Sequence, residues 1–362
     1  MKLCHIILIC ILTAGAGKEV SAENFNLDSP RNRGVFRVEI DNDVVWNKDS
    51  SFSNGWSLQY HTVLCSNWDE TQAPDVIKWV GKTFPTLGDE NSIVRFGHGI
   101  GQNMITPGDL TNPDPPPGDL PYAGTLTYTF NWQSFNRQTA RNFQVTAGVL
   151  GRESLAEDFQ RFMHVRIGFG EEPEGWHTQR DTEPVVNIAY QHIWQMAHMG
   201  TYTNDWAAHA VLWPSIHLGN IITGADLAAG VRIGWNMPEG FGSLPSPPGR
   251  GFFQAYDIPK PESASPHGFE LIFAGCGTAI AYSVLFDGSM ITGDDRDVDR
   301  NGFLFNGLIG INYHYYDYIA VRIAFVKASD LMDDNSLPVP PSGKTKTGAD
   351  TSYGAMMIDF HF

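Results

Sequence analysis

Apolar side chains in this chain recur at every second position, segment after segment, and past the first residues they never bunch into a long run. A period of two sends alternate side chains to opposite faces of an extended strand. Phe36, Val38 and Ile40 alternate with Arg37, Glu39 and Asp41. Trp56, Leu58 and Tyr60 alternate with Ser57, Gln59 and His61. The same pattern covers 125–133, 142–149, 186–191, 227–235 and 303–313, and it closes the chain at 352–362. Weaker runs at 92–102, 206–219, 268–286 and 316–328 bring the expectation to about twelve strands, an even number as bacterial single-chain barrels require.

Two architectures use such strands: a soluble sandwich with one buried face, and a membrane barrel that is apolar outside and polar inside. Composition separates them. Charged residues are 18% of the chain, against roughly 25% for a usual soluble domain, while aromatics reach 12%. Trp46, Trp56, Tyr122, Trp132, Trp194, Trp213, Trp235 and Tyr313 fall near strand ends, where interfacial girdles lie. The terminal Phe362, preceded by alternating apolar residues, resembles the assembly signal of outer-membrane proteins. The expected fold is therefore all-β, a transmembrane antiparallel β-barrel. The net charge of −16 argues against binding nucleic acid by phosphate neutralisation.

The first 22 residues read as a secretory signal, with Lys2, an apolar stretch from Leu3 to Ala14, and Val20-Ser21-Ala22 before a cleavage site at Glu23. The stretch is too short for a membrane anchor, and Cys10 lies too deep in it for a lipoprotein. Residues 23–362 are then one barrel domain. Two cysteines, Cys65 and Cys276, remain there, and the sequence leaves their pairing open.

One stretch breaks the alternation. Within 152–167, Leu155, Phe159, Phe162 and Met163 recur at helical spacing, and Ser154 with Glu157 fits a capping box. A barrel needs no helix to close, so this one serves an activity. A second short helix is expected at 75–84, and the proline-rich segments 107–121, 243–266 and 337–344 read as loops. Three clusters carry possible chemistry. Asn42-Asp43 and Asp49 to Gly55 suit a turn, or an oxygen-rich cation site. Gly101 to Pro107 and Asp119 to Gly124 form the second. His164, followed by Glu171 and Glu172, supplies a general base with carboxylates nearby. A G-x-S-x-G elbow, an H-E-x-x-H pair and a C-x-x-C pair are all absent from the sequence.

Taken in order and spacing, these clusters resemble the lipid A 3'-O-deacylase family, the LpxR type. Its elements appear here as Asn42-Asp43, Asp49 to Gly55, Gly101 to Pro107, Asp119 to Gly124, His164 to Gly168, Gly175 to Gln179, Glu183-Pro184 and Leu285 to Gly288. The resemblance implies a monomeric twelve-stranded outer-membrane enzyme that hydrolyses the ester of the 3'-acyloxyacyl group of lipid A in lipopolysaccharide, with calcium. It implies His164 as the base, a following glutamate (Glu171, with Glu172 as the neighbour), and Asn42, Asp43 and Ser53 as polar site residues, Asp43 doubling as a cation ligand. Gln102, Asn103, Tyr122 and Trp176 become candidate substrate contacts. Water is expected to attack directly, with no acyl-enzyme. Leu120 stands where the family carries arginine, so a phosphate-facing charge is missing. An outer-membrane phospholipase and a porin-like barrel without activity are the alternatives. Strand parity sets Asn42 with the outward residues of its strand and Asp43 with the inward ones, so the pair is expected to straddle the wall. The helix before His164 would cover that wall from outside.

Overall fold

The computed structural model describes residues 25–43, 51–116, 118–167, 171–242, 254–294, 298–316, 318–332 and 351–362, the side chains of 51–53 and 167 excepted. The proposed signal segment, Trp46, Asp49 and the 337–344 loop lie outside these residues. In chain order the strands are β1 (Val35–Asn42), β2 (Ser51–His61), β3 (Ile93–Thr106), β4 (Ala123–Phe135), β5 (Thr139–Leu150), β6 (Glu183–Gly200) and β7 (Trp206–Gly219). They continue as β8 (Thr223–Trp235), β9 (Glu239–Gly240), β10 (Asp257–Ile258), β11 (His267–Tyr282), β12 (Phe303–Tyr315), β13 (Ile319–Ala328) and β14 (Tyr353–His361). Among the described residues, twelve of them form one closed antiparallel barrel, and β9 and β10 pair separately. The seam joins β1 to β14, with Val38 opposite Ile358.

Alternation sets what each face meets. Phe36, Ile40, Leu58, Phe130, Val231, Phe273, Ile309, Phe325 and Phe360 stand exposed on the outside. Exposing this band to water would be unfavourable; burying it in lipid removes the cost. An aromatic belt circles the end that holds the termini: Trp206 and Trp235 each pack on Phe269, and Tyr315 packs on Tyr318. Among the tryptophans expected in such a girdle, two take other roles. Trp213 has the opposite parity to the exposed Leu218 on β7 and packs into the inner core with Phe241 and Tyr256. Trp132 is covered by a helix at Asp75–Thr83, to whose Ile77 carbonyl its indole N–H donates at 2.9 Å.

The lumen is filled at the terminus end. Residues 254–266, expected to be a plain loop, enter the barrel, and β10 pairs there with β9. Three inward arginines grip this plug, and a fourth holds the β9 strand that pairs with it. Arg37 donates to the Gln254 carbonyl at 2.6 Å and Arg95 to the Ala255 carbonyl at 3.0 Å. Arg322 pairs with Asp257 at 2.9 Å, and Arg232 donates to the Gly240 carbonyl at 2.8 Å. Buried charges on a wall facing lipid would be costly; turned inward they find partners. Cys65 and Cys276 are both free thiols, so the pairing left open by the sequence does not occur.

Candidate active site

Four strands build the floor of the site on the outer wall. Register places Asn42 opposite Asn54, Asn54 opposite Met104, and Met104 opposite Gly124. All four share parity with the outward residues Ile40 and Leu58 along their strands. Ser53 is the extra residue of a β-bulge between Phe52 and Asn54. Bulges of this kind re-aim side chains next to active sites. Asn54 is buried, and its Oδ1 has no hydrogen-bond partner among the described residues. Asp43 follows directly and is also buried.

Across this floor lies the wall helix. A 3-10 turn (Arg152–Ser154) leads to Leu155, whose φ of 59° is left-handed, then to an α-helix (Ala156–Arg161) and a π-helical turn (Phe162–Ile167). The capping box expected from Ser154 and Glu157 does not form. The left-handed Leu155 occupies the cap position, the Ser154 hydroxyl accepts from the Ala156 N–H at 3.4 Å, and Glu157 pairs with Arg161 instead. The helix starts over β4, because Gly124 leaves room for Ala156 and Ser154: a Cβ there would lie 2.2 Å from the Ala156 Cβ. Phe159 reaches Trp56 of β2, with ring centroids 6.1 Å apart. The chain rises about 12 Å from Ala156 to His164, so the imidazole stands beyond Phe159 at the far end of the wall helix. Leu155, Phe162 and Val165 are each more than half exposed on the far face, an apolar surface turned to lipid.

His164 is 9% exposed, and its Nδ1 lies 2.6 Å from the main-chain carbonyl of Glu171. A carbonyl oxygen carries no proton, so Nδ1 must donate. The neutral ring then presents Nε2 with its lone pair, the form a general base needs. The sequence sets two carboxylates, Glu171 and Glu172, shortly after His164. In the structure the contact runs through the main chain of Glu171, while the Glu172 carboxylate pairs with Arg161 at 3.3 Å.

Several other candidates turn out to hold this arrangement in place. Gln102 accepts from the Trp56 indole at 3.0 Å and donates to the Ser154 carbonyl at 2.6 Å, which ties β2, β3 and the wall helix together. Tyr122 and Trp176 are fully buried and packed on each other at 4.9 Å. The Trp176 indole donates to Gln160 of the wall helix at 2.7 Å, and the Tyr122 hydroxyl donates to the Leu110 carbonyl at 3.2 Å. Parity puts Asn103 on the lumen side, where it lines a mainly apolar cavity with Ile105 and Ile222, so it shares no face with His164. Leu120 is buried in an apolar cluster with Ile222, Ile280 and Leu304; a guanidinium there would be stranded. Burial pushes the neighbouring Asp119 carboxyl up, against the pull of the Leu120 and Gly108 N–H donors. Asn54 and Gln160 were missed in the sequence. Asn54 sits inside the motif that named Ser53, and only register shows which of the two faces Asn42.

A model of the family described as outer membrane protein LpxR matches residues 4–335. The chain belongs to the LpxR family. The solved LpxR from Salmonella typhimurium superposes with a TM-score of 0.68 at 15% identity, covering 91% of this chain and all of that one. The shared fold is thus the LpxR outer-membrane barrel. The β domain of the Bordetella autotransporter BrkA gives only 0.41 at 8% identity, over 91% of this chain and all of that one. No curated protein matches the sequence. LpxR membership places the chain in the outer membrane.

If His164 acts in the expected ester cleavage, lifting the wall helix must slow that reaction without unfolding the barrel. Gly124→Leu is expected to lower activity at least about 10²-fold, since displacing a catalytic group by about 1 Å costs that much. Gly307→Leu is the matched control, because a Cβ there meets nothing within 4 Å. Rates of ester cleavage by the two variants in detergent micelles check this; equal rates would disprove the positioning role.

Proposed function

We propose that this LpxR-family barrel is a lipid A 3'-O-deacylase in which His164 activates water. The observation that carries the reading is the Nδ1 contact to the Glu171 carbonyl, which leaves Nε2 as the acceptor on an apolar outer wall. Acyl chains lie against that wall, beside the exposed Phe162 and Val165. Nε2 takes a proton as the water oxygen bonds to the ester carbonyl carbon. When the tetrahedral intermediate collapses, the sugar oxygen leaves and the imidazolium returns the proton to it. The Asn42 and Asn54 amides flank the developing oxyanion. This reading orients the wall-helix end of the barrel outward, where lipopolysaccharide resides. The filled lumen argues against a porin.

Calcium is part of the proposal. The orphaned Asn54 Oδ1 and the buried Asp43 carboxylate are hard oxygen donors of the type calcium takes. Among the described residues no three His, Cys, Asp or Glu side chains converge. Asp43, Asn54, Asn42 and main-chain oxygens would therefore hold the ion, which when bound supplies polarisation of the ester carbonyl.

Mass spectrometry of lipid A from cells with and without the protein tests the reading. The expected result is loss of the whole 3'-acyloxyacyl group only when the protein is present. Unchanged lipid A with phospholipids losing an acyl chain would replace it by a phospholipase.

A further inference from the structure

At the terminus end of the lumen, far from His164, the plug leaves a narrow cavity of about 40 Å³. Arg31, Arg33, Arg95 and Lys260 line it, against the two carboxylates Asp257 and Asp359. Asp359 is engaged by other cations through both oxygens, and Asp257 through one, its buried Oδ1 having no hydrogen-bond partner among the described residues. Asp359 accepts from Arg37 at 2.6 and 2.9 Å and from Arg322, and Asp257 gives its Oδ2 to Arg322.

Two of the lining cations make no direct ion pair among the described residues, although Asp257 and Asp359 act on Arg95, and Glu239, Asp257 and Glu270 on Lys260, through space. Arg95 is 4% exposed. Its Nη1 and Nη2 donate to the main-chain carbonyls of Ala255 and Arg33 at 3.0 and 3.3 Å, and its Nε has no partner. Lys260 is 2% exposed. Its ammonium donates to the Tyr202 carbonyl and lies 5.6 Å from the Tyr316 ring centroid. Neither has a carboxylate within ion-pair distance among the described residues. Burial pushes the Lys260 ammonium down to about 8. A buried guanidinium and a buried ammonium facing one cavity are costly unless an anion joins them.

We propose that this cavity is a binding site for a phosphate group, held between Arg95 and Lys260. Phosphate offers the oxygens that a guanidinium fork and an ammonium can share. Enclosure by the plug and the barrel wall favours a small soluble phosphate over a lipid headgroup. The site is independent of ester hydrolysis, so it stands whether or not the proposed activity does.

The test uses the full chain in a phosphate-free detergent. Inorganic phosphate is titrated calorimetrically against sodium chloride of equal ionic strength, and dihexanoyl phosphatidic acid is titrated in a second arm. Saturable binding of phosphate is expected, weakened about tenfold or more in Lys260→Gln, the value of one charge-assisted hydrogen bond. Arg95→Gln also loses one contact to the plug and one to the segment before β1, so Lys260→Gln and the wild-type titration decide the matter if that variant does not fold. Lys260-dependent binding of the lipid alone keeps the site and assigns the phosphate to a headgroup. Absence of saturable binding in both arms, or equal affinity in Lys260→Gln, overturns the proposal.

Discussion

His164→Asn is expected to slow ester cleavage by about 10²- to 10⁴-fold, the usual contribution of a positioned general base, while the barrel stays folded. Asparagine is the informative replacement. Its side-chain amide reaches about as far as Nδ1 and can still donate to the Glu171 carbonyl, which the imidazole now contacts at 2.6 Å. It has nothing in the place of Nε2. A merely structural histidine would therefore be rescued by asparagine and lost in His164→Ala, whereas a base is lost in both. The measurement is the initial rate of release of the acyloxyacyl product from lipid A in mixed micelles, with urea resistance as the folding control. If His164→Asn keeps a rate within twofold of wild type, His164 is not the base.

Asp359→Asn is the second large effect, and it acts on stability. Asp359 joins β14 to Arg37 of β1 across the seam and to Arg322 of β13, and through Arg322 it reaches Asp257 of the plug. All of this lies inside the barrel, where the Asp359 side chain is 3% exposed. The asparagine leaves two buried guanidinium groups short of one negative charge. Removing one partner of a buried pair costs about 3–5 kcal/mol. Met356→Ala, on the lipid face of the same strand, serves as the comparison and should cost far less in a bilayer, because the surrounding lipid fills the space. Urea unfolding in lipid vesicles reads both. A loss under about 1 kcal/mol for Asp359→Asn would mean that the inner network is dispensable.

The strands were legible because each needs only a period of two, and that period is local. Phe36, Val38 and Ile40 announce their face without knowledge of their neighbours. Which tryptophans line the girdle was less legible, since Trp213 and Trp132 depend on strand parity and on a helix packed from outside. The plug was hidden because Gln254 and Tyr256 acquire their partners from strands more than 40 positions away. His164 was legible through its motif, but its orienting contact was not, because a main-chain carbonyl leaves no mark on residue identity. Tyr122 and Trp176 show the converse. Their motif marks them as important, and only burial shows that they hold the wall helix down.

The seam also bears on how the chain reaches this state. Most neighbouring strands in the wall are joined by direct chain connections, so their pairing requires little loop closure. The β1–β14 seam brings together residues 322 positions apart, and its loop-closure cost falls late. Until then the curled sheet has two bare edges, each with unpaired main-chain groups and a flanking apolar face. Such edges template pairing with other chains. The inner charge pairs offer little protection at that stage, because Arg37 and Asp359 stand on opposite sides of the gap. The interval before closure is therefore the period in which this barrel is most exposed to aggregation, and insertion into lipid must outrun encounters between open sheets.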